Sequence, residues 1–265
     1  MRPGPESPTW KINAERVVVL GWPRAILMQF AHPLIAAGVA QHSSFQTNRL
    51  GPLYRLHGTV RAMLQMTFGD DEAAAAAAER INRIHDRVNG ILREPVGPYP
   101  GGTPYSAHDP SLVAWVHMTL LHTMPDTYEL LVAPLSIAEK DAYCVESRGG
   151  ARLLGIPETA VPAAYADVKR TVAARLEDGS LAVTDTARRL AADVLRPSFP
   201  ALPWPADRLL RLVTVGLLPP TLRDAYELRW SKDDDAALSR LSRRFRLFAR
   251  HAPAALRCWR AARQH

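Results

Sequence analysis

Residues 70–88 read Asp-Asp-Glu-Ala-Ala-Ala-Ala-Ala-Ala-Glu-Arg-Ile-Asn-Arg-Ile-His-Asp-Arg-Val, and this stretch sets the fold class. An aspartate at 70 or 71 accepts hydrogen bonds from the free N–H groups of a helix start. Six consecutive alanines follow, and alanine is the strongest helix former. Gly90 offers a stop. The stretch therefore predicts a helix from about 71 to 88. On its face Ile81, His85, Val88 and Leu92 fall at helical spacing. An imidazole in such apolar surroundings stays neutral, and neutral imidazole is a good iron ligand. The bland alternative is a core histidine bonded to a backbone carbonyl, the commoner fate of a lone helical histidine.

Helical periods continue outward in both directions, and strand alternation is scarce. Upstream, Gly51-Pro52 punctuates before a helix over about 53–67. Arg55 and Thr59 lie four apart on it, hence on one face. That pair suits bidentate binding of a propionate or a substrate oxygen, or else a plain capping or surface pair. Helical patterns over 24–31 and 34–41 flank His32-Pro33, where the proline disfavours helical geometry at His32. A further helical segment covers about 14–20, ended by the Gly-Trp-Pro break at 21–23. Downstream, residues 93–106 are rich in proline and glycine and read as a long loop of the kind that borders binding sites. Asp109-Pro110 restarts a helix, which carries Trp115, His117 and His122. Ser136 and Glu139 form a capping box. Thr184 caps a helix over 185–195, and the last helix covers about 233–251. Pro197 to Pro205 is a second proline-rich connection. The expected architecture is all-α: a flexible arm over 1–10 and one multi-helix domain over 11–265.

The chain has 265 residues, 47% of them hydrophobic and 22% charged, enough for one large core. Its formal net charge of +7 comes mostly from arginine. A basic balance permits anionic partners without naming one. The arginines gather on no recognisable nucleic-acid motif, so no nucleic-acid partner is expected. The two cysteines, Cys144 and Cys258, form neither C-x-x-C nor C-x-x-C-H. That removes a zinc ribbon, a thioredoxin motif and c-type haem attachment, and suits a reduced, cytoplasmic chain. No apolar run reaches the roughly 18 residues of a membrane span. There is no H-E-x-x-H, Glu-x-x-His, G-x-G-x-x-G, P-loop or G-x-S-x-G. The remaining candidates are histidines: His32, His42 and His57 around the Gly51-Pro52 break, His85, and His117 with His122. Glu139, Asp141 and Glu146 read as an acidic helix start that suits the macrodipole.

One ordered series of short elements runs through most of the chain. It begins with Glu15-Arg16, Pro23-Arg24-Ala25, and Gln29 to Ser43 with Phe45. Arg55-x-x-x-Thr59, Phe68-Gly69-Asp70 and His85-x-x-Val88-x-Gly90 follow. Tyr105 to Pro110 leads to Trp115-Val116-His117-x-Thr119-Leu120. Tyr128, Pro134-Leu135-Ser136, Glu139-x-Asp141-x-Tyr143, Glu146 and Leu154 to Pro157 continue it, and Leu218-Pro219 and Leu222-Arg223 close it. This series resembles the bacterial short branch of the MpaB-like oxygenase family, which is related to the latex-clearing rubber oxygenases. The chain departs from the pattern at Gly21-Trp22, where a Gly-Gly pair is expected, and at Gly58, where the branch often carries arginine. It shows no clear counterpart of the rubber oxygenases' distal lysine.

The resemblance implies a globin-like helical core holding a non-covalent haem b, with its iron. His85 falls on the position of the family's proximal helix histidine, and Arg55 and Thr59 fall on its pocket-lining Arg-x-x-x-Thr. His117, in the branch's own Trp-Val-His element, is the rival ligand. His32 and His42 are the candidates for tuning the distal side together with Arg55 and Thr59. The implied activity is a haem-dependent oxygenase or oxidoreductase that uses dioxygen on a small apolar, polyketide-like or isoprenoid-like substrate, with oxidative C=C cleavage as the analogous reaction. The secretion signal and flanking regions of the rubber oxygenases are missing, so polymer cleavage is not expected. Two other readings stay open: a haem carrier or sensor without turnover, and a cofactor-free helical protein that binds acidic partners. The sequence names no electron donor and no oligomeric state.

Overall fold

The computed structural model describes residues 3–42, 51–195 and 204–264; side chains are described from residue 57 in the helix that starts at 51, and from residue 207 in the helix that starts at 204. The described residues form thirteen α-helices and one two-stranded hairpin, so the fold is all-α. The helices are α1 (Pro8–Ala14), α2 (Trp22–Phe30), α3 (Pro33–His42), α4 (Gly51–Phe68), α5 (Asp71–His85), α6 (Pro110–Leu131), α7 (Ile137–Leu153), α8 (Tyr165–Glu177), α9 (Asp185–Leu195), α10 (Trp204–Leu217), α11 (Pro220–Ala225), α12 (Lys232–His251) and α13 (Ala254–Arg257). Strands β1 (Asn89–Ile91) and β2 (Pro104–Ser106) pair antiparallel between α5 and α6. The Pro197–Pro205 connection lies almost wholly outside the described residues.

Helix α6 is the axis of the molecule. The Asp109 carboxylate accepts from the Ser111 backbone N–H at 2.8 Å, and Pro110 takes the first helical position, where a missing N–H costs nothing. Helices α2, α7, α8, α10 and α12 pack around α6. Leu27 and Met28 of α2, Trp115, Leu121 and Leu131 of α6, and Val213 of α10 meet in one core. Thr119, Thr123 and Thr127 are fully buried on α6 at four-residue spacing, one face of a helix. Thr119 and Thr127 donate their hydroxyls back to the Val116 and Thr123 carbonyls at 2.7 and 2.8 Å. That back-bonding lets a polar stripe sit in the core. Gly21 presses against it: a Cβ there would lie 2.0 Å from Thr127 Oγ1.

Three local expectations change. Residues Arg16–Gly21 form a 3-10 segment rather than an α-helix. Helix α1 begins at Pro8, capped by Ser7, and Trp10 sits edge-on to Phe68 with ring centroids 4.7 Å apart. The predicted helix over 71–88 ends at His85, where Asp86 N–H bonds to Asn82 O and Val88 N–H to His85 O, at 2.8 and 2.9 Å. Pairing of 89–91 with 104–106 wins over helix extension, so part of the proline- and glycine-rich stretch is a strand. Gly90 has a strand role, because a Cβ there would meet the Tyr105 hydroxyl at 2.6 Å. Val88 and Leu92 therefore do not share a helical face with His85. Leu92 packs with Leu34, Tyr105 and Leu112, and Val88 lies against Gly38.

Candidate functional site

Helices α4 and α5 form an antiparallel hairpin joined at Gly69-Asp70, and Asp70 caps α5 by accepting from Ala73 N–H at 2.7 Å. Arg80 donates to Gln65 across the hairpin. Counting back from that pair sets His85 level with the α4 turn that holds Gly58, Thr59 and Val60. Arg55 lies one turn further along α4, and its side chain is outside the described residues. Thr59 is on an exposed part of α4. A Cβ at Gly58 would meet nothing within 4 Å, so the helix surface there is open.

His85 is half-buried on the last turn of α5, and its Nδ1 is buried without a hydrogen-bond partner. The His108 ring stands edge-on to it with centroids 5.8 Å apart. His108 Nε2 lies 2.7 Å from Asp86 Oδ1. Burial, and then His108, lower the His85 pKa against the opposing pull of Asp86. The ring is therefore a neutral imidazole, with a polar nitrogen that the described protein leaves unused.

His42 ends α3. Its Nε2 lies 2.9 Å from the Asn89 carbonyl. A carbonyl only accepts, so Nε2 carries the proton. Tyr105 donates its hydroxyl to Gln41 at 2.9 Å and lies 3.3 Å from the same His42 nitrogen. The end of α3 and the hairpin are thus fastened together just after His85.

His32 is 1% exposed, in the break between α2 and α3. Its Nε2 is 3.0 Å from the Tyr99 hydroxyl, and its Nδ1 is buried without a partner. Burial, then Arg175, push its pKa down to about 4. No described contact joins His32 to His85. The proline- and glycine-rich loop, through Tyr99, is what His32 holds.

His117 faces α7. Its Nε2 lies 3.3 Å from Ser147 Oγ, and Ser147 already donates to the Cys144 carbonyl at 2.6 Å. The serine proton is spent, so His117 Nε2–H is the donor to Ser147. Burial brings its pKa down to about 4. This nitrogen is engaged inside the protein, unlike Nδ1 of His85.

A buried polar cluster lies where no sequence motif marks one. Arg24 of α2 is 2% exposed. Its Nη1 pairs with Asp126 Oδ2 at 3.1 Å and reaches Thr123 Oγ1 at 3.3 Å. Its Nη2 donates to His122 Nδ1 at 2.9 Å, which makes that nitrogen an acceptor and the ring neutral. The Tyr165 hydroxyl lies 2.7 Å from Asp126 Oδ1 and 3.0 Å from the His122 carbonyl. Burial, then Arg24, hold His122 down at about 4, and burial with Asp126 raises Tyr165 strongly. The cluster ties α2, α6 and α8 together and uses both terminal nitrogens of Arg24, while Arg24 Nε is buried without a described partner. Arg24 stood in the quoted Pro-Arg-Ala element, but nothing in the sequence marks Asp126 and Tyr165 as its partners. Glu139 keeps its structural role. It closes the capping box with Ser136 and pairs with Lys11 at 2.5 Å, which lowers its carboxyl to about 2.

Among the described residues no three His, Cys, Asp or Glu side chains converge as a metal-ligand set. A haem iron asks the protein for only an axial ligand. A surface cavity of about 680 Å³ is lined by Arg208, Arg211, Arg229 and Trp230; none of the predicted site residues borders it. Cys144 and Cys258 are both free and buried. No helix among the described residues is long and apolar enough to cross a membrane.

No curated protein and no solved structure matches the chain. Over residues 10–251 it matches the family described as "ER-bound oxygenase mpaB/B'/Rubber oxygenase, catalytic domain". That span runs from α1 to the end of α12 and includes every candidate residue above, so the chain belongs to the mpaB/rubber oxygenase catalytic-domain family.

Proposed function

We propose that this chain is a haem b-dependent oxygenase whose iron is held by His85. Membership of an oxygenase family makes it an enzyme of oxygenase type, which implies a small-molecule substrate and oxygen. What supports the haem reading is the half-buried His85 on the last turn of α5, held neutral by burial. Its Nδ1 is sealed inside the protein, so Nε2, engaged in no described hydrogen bond, is the nitrogen that would meet the iron. A Cβ at Gly58 would meet nothing within 4 Å, so α4 is unobstructed at that residue. When bound, haem b supplies the redox-active iron for reaction with dioxygen.

The chain's own residues bind and orient. Arg55 and Thr59 hold a propionate or a substrate oxygen from α4. His42 donates its Nε2–H to the Asn89 carbonyl and stands at the end of α3, beside the hairpin that follows His85. His32 acts from behind, by holding Tyr99 and the loop over 93–106. The family resemblance points to a small polyketide-like or isoprenoid-like substrate, and oxidative C=C cleavage is the reaction in view. Titration of the purified chain with haemin, followed by dioxygen uptake with a short isoprenoid polyene, tests this. A stoichiometric Soret band with substrate-dependent uptake is expected. A Soret band without uptake for a panel of apolar alkenes would make the chain a carrier, and no haem binding would end the haem reading.

A further inference from the structure

The net charge is not spread along the chain. Residues 1–206 contain twenty basic and twenty acidic side chains, whereas residues 207–265 contain thirteen basic and six acidic ones. The whole excess of +7 therefore belongs to the C-terminal part. From residue 236 onward there are eight arginines and no acidic residue.

The structure gives this charge a face. The inner side of α12 packs on α6 and α10 through Leu238, Leu241 and Phe245. Leu247 points the other way and is 61% exposed. Arg243, Arg244, Arg250 and His251 stand three or four residues from it, which on a helix makes them its immediate neighbours. All four are exposed, as is Arg240 one turn earlier. None of these arginines pairs with a described carboxylate; Arg246 and Arg257, by contrast, are used internally, on the Glu129 and Leu130 carbonyls and on Glu15. Beside this face Phe248 and Leu256 are 49% and 62% exposed and border a small cleft with Phe245 and Ala249, which the Arg257–Glu15 pair also lines. An unpaired arginine ring around exposed Leu and Phe is the pattern of a helix that lies in the interface of an anionic bilayer. Arginine stems lie along the acyl boundary while their guanidiniums meet phosphate. Duplex nucleic acid would use the charge and leave Leu247, Phe248 and Leu256 without a partner.

We propose that the outward face of α12, centred on Leu247 and continued by Phe248 and Leu256, docks this protein peripherally on anionic lipid. The docking rests on α12 and the following turn and is independent of the haem reading.

The test is co-sedimentation of the full chain with phosphatidylcholine vesicles, with and without phosphatidylserine, at low and at high salt. Binding is expected only with phosphatidylserine, and it weakens with salt. Arg243→Glu with Arg244→Glu should lower the partition coefficient at least about 25-fold, at about fivefold per basic charge. Leu247→Glu should lower it about tenfold, since it removes the apolar centre and adds a negative charge. A control with the same charge change in the neutral part, Arg152→Glu with Arg170→Glu, should stay within about twofold. Circular dichroism of each variant confirms that the helices are kept. The proposal is overturned if the unaltered chain does not bind, if it binds both vesicle types equally, or if the control loses as much as the α12 variant. It is also overturned if duplex DNA binds as tightly and Leu247→Glu changes neither interaction, which would make the face a general polyanion surface.

Discussion

Arg24 Nη1 and Asp126 Oδ2 lie 3.1 Å apart inside the protein, and the arginine side chain is 3% exposed. Taking one partner away strands the other in a medium that solvates it poorly. Asp126→Ala should therefore cost about 3 kcal/mol of stability, read from urea unfolding with an unchanged m-value. A loss under about 1 kcal/mol would mean that Thr123 and His122 satisfy the guanidinium unaided.

Two glycine-to-alanine changes should have opposite signs. Gly21→Ala drives a methyl into Thr127 and should destabilise by about 2 kcal/mol. Gly58→Ala meets open space in the middle of α4 and should stabilise the haem-free chain by about 0.5–1 kcal/mol. Equal thermal shifts in the same direction would show that one of the two environments is misassigned.

His32, His117 and His122 are each held at about 4, mainly by burial, against an ordinary 6.5. The unfolded chain takes a proton on each ring as pH falls through 6.5, while the folded chain resists until about 4. The unfolded state thus binds more protons in that window, and stability falls as pH drops through it. The stability is full above 6.5, and the Glu139 contribution is lost only later, between about 4.5 and 2. Urea midpoints measured across this range should decline steeply from about pH 6.5 downward; a flat profile to about pH 4.5 would contradict the burial of these rings.

Tyr99→Phe removes the only hydrogen-bond partner that the described structure gives the His32 ring. Two buried ring nitrogens would then be unsatisfied, at about 1–2 kcal/mol. Calorimetric unfolding should show the loss, and an unshifted midpoint would mean that the Tyr99 hydroxyl adds nothing to stability at His32 Nε2.

The helices were legible where local signals and burial agree. Asp109-Pro110, Ser136 with Glu139, and Thr184 all cap where their side chains predict, with Thr184 Oγ1 accepting from Ala187 N–H at 3.0 Å. The end of α5 was not legible, because the competitor was a strand partner some fifteen residues away. Periodicity over 81–92 carries no trace of the pairing between Gly90 and Tyr105. The candidate histidines were visible as residue types, but their tautomers and partners depend on contacts distant in sequence: Asn89 for His42, Tyr99 for His32, Ser147 for His117. The Arg24 cluster spans three helices, and only folding brings it together. The distribution of charge was countable from the outset, yet its meaning needed the exposed side of α12.

On the proposed function, His85 holds the iron of a haem b. Haem titration of the His85→Ala and His117→Ala chains, followed through the Soret band, decides it. His85→Ala should lose the band of the unaltered chain or shift it to that of loosely bound haem, while His117→Ala keeps full haem occupancy, since its Nε2 is engaged with Ser147. Full occupancy with an unshifted Soret band in His85→Ala, and loss of both in His117→Ala, would contradict the assignment and place the iron on His117.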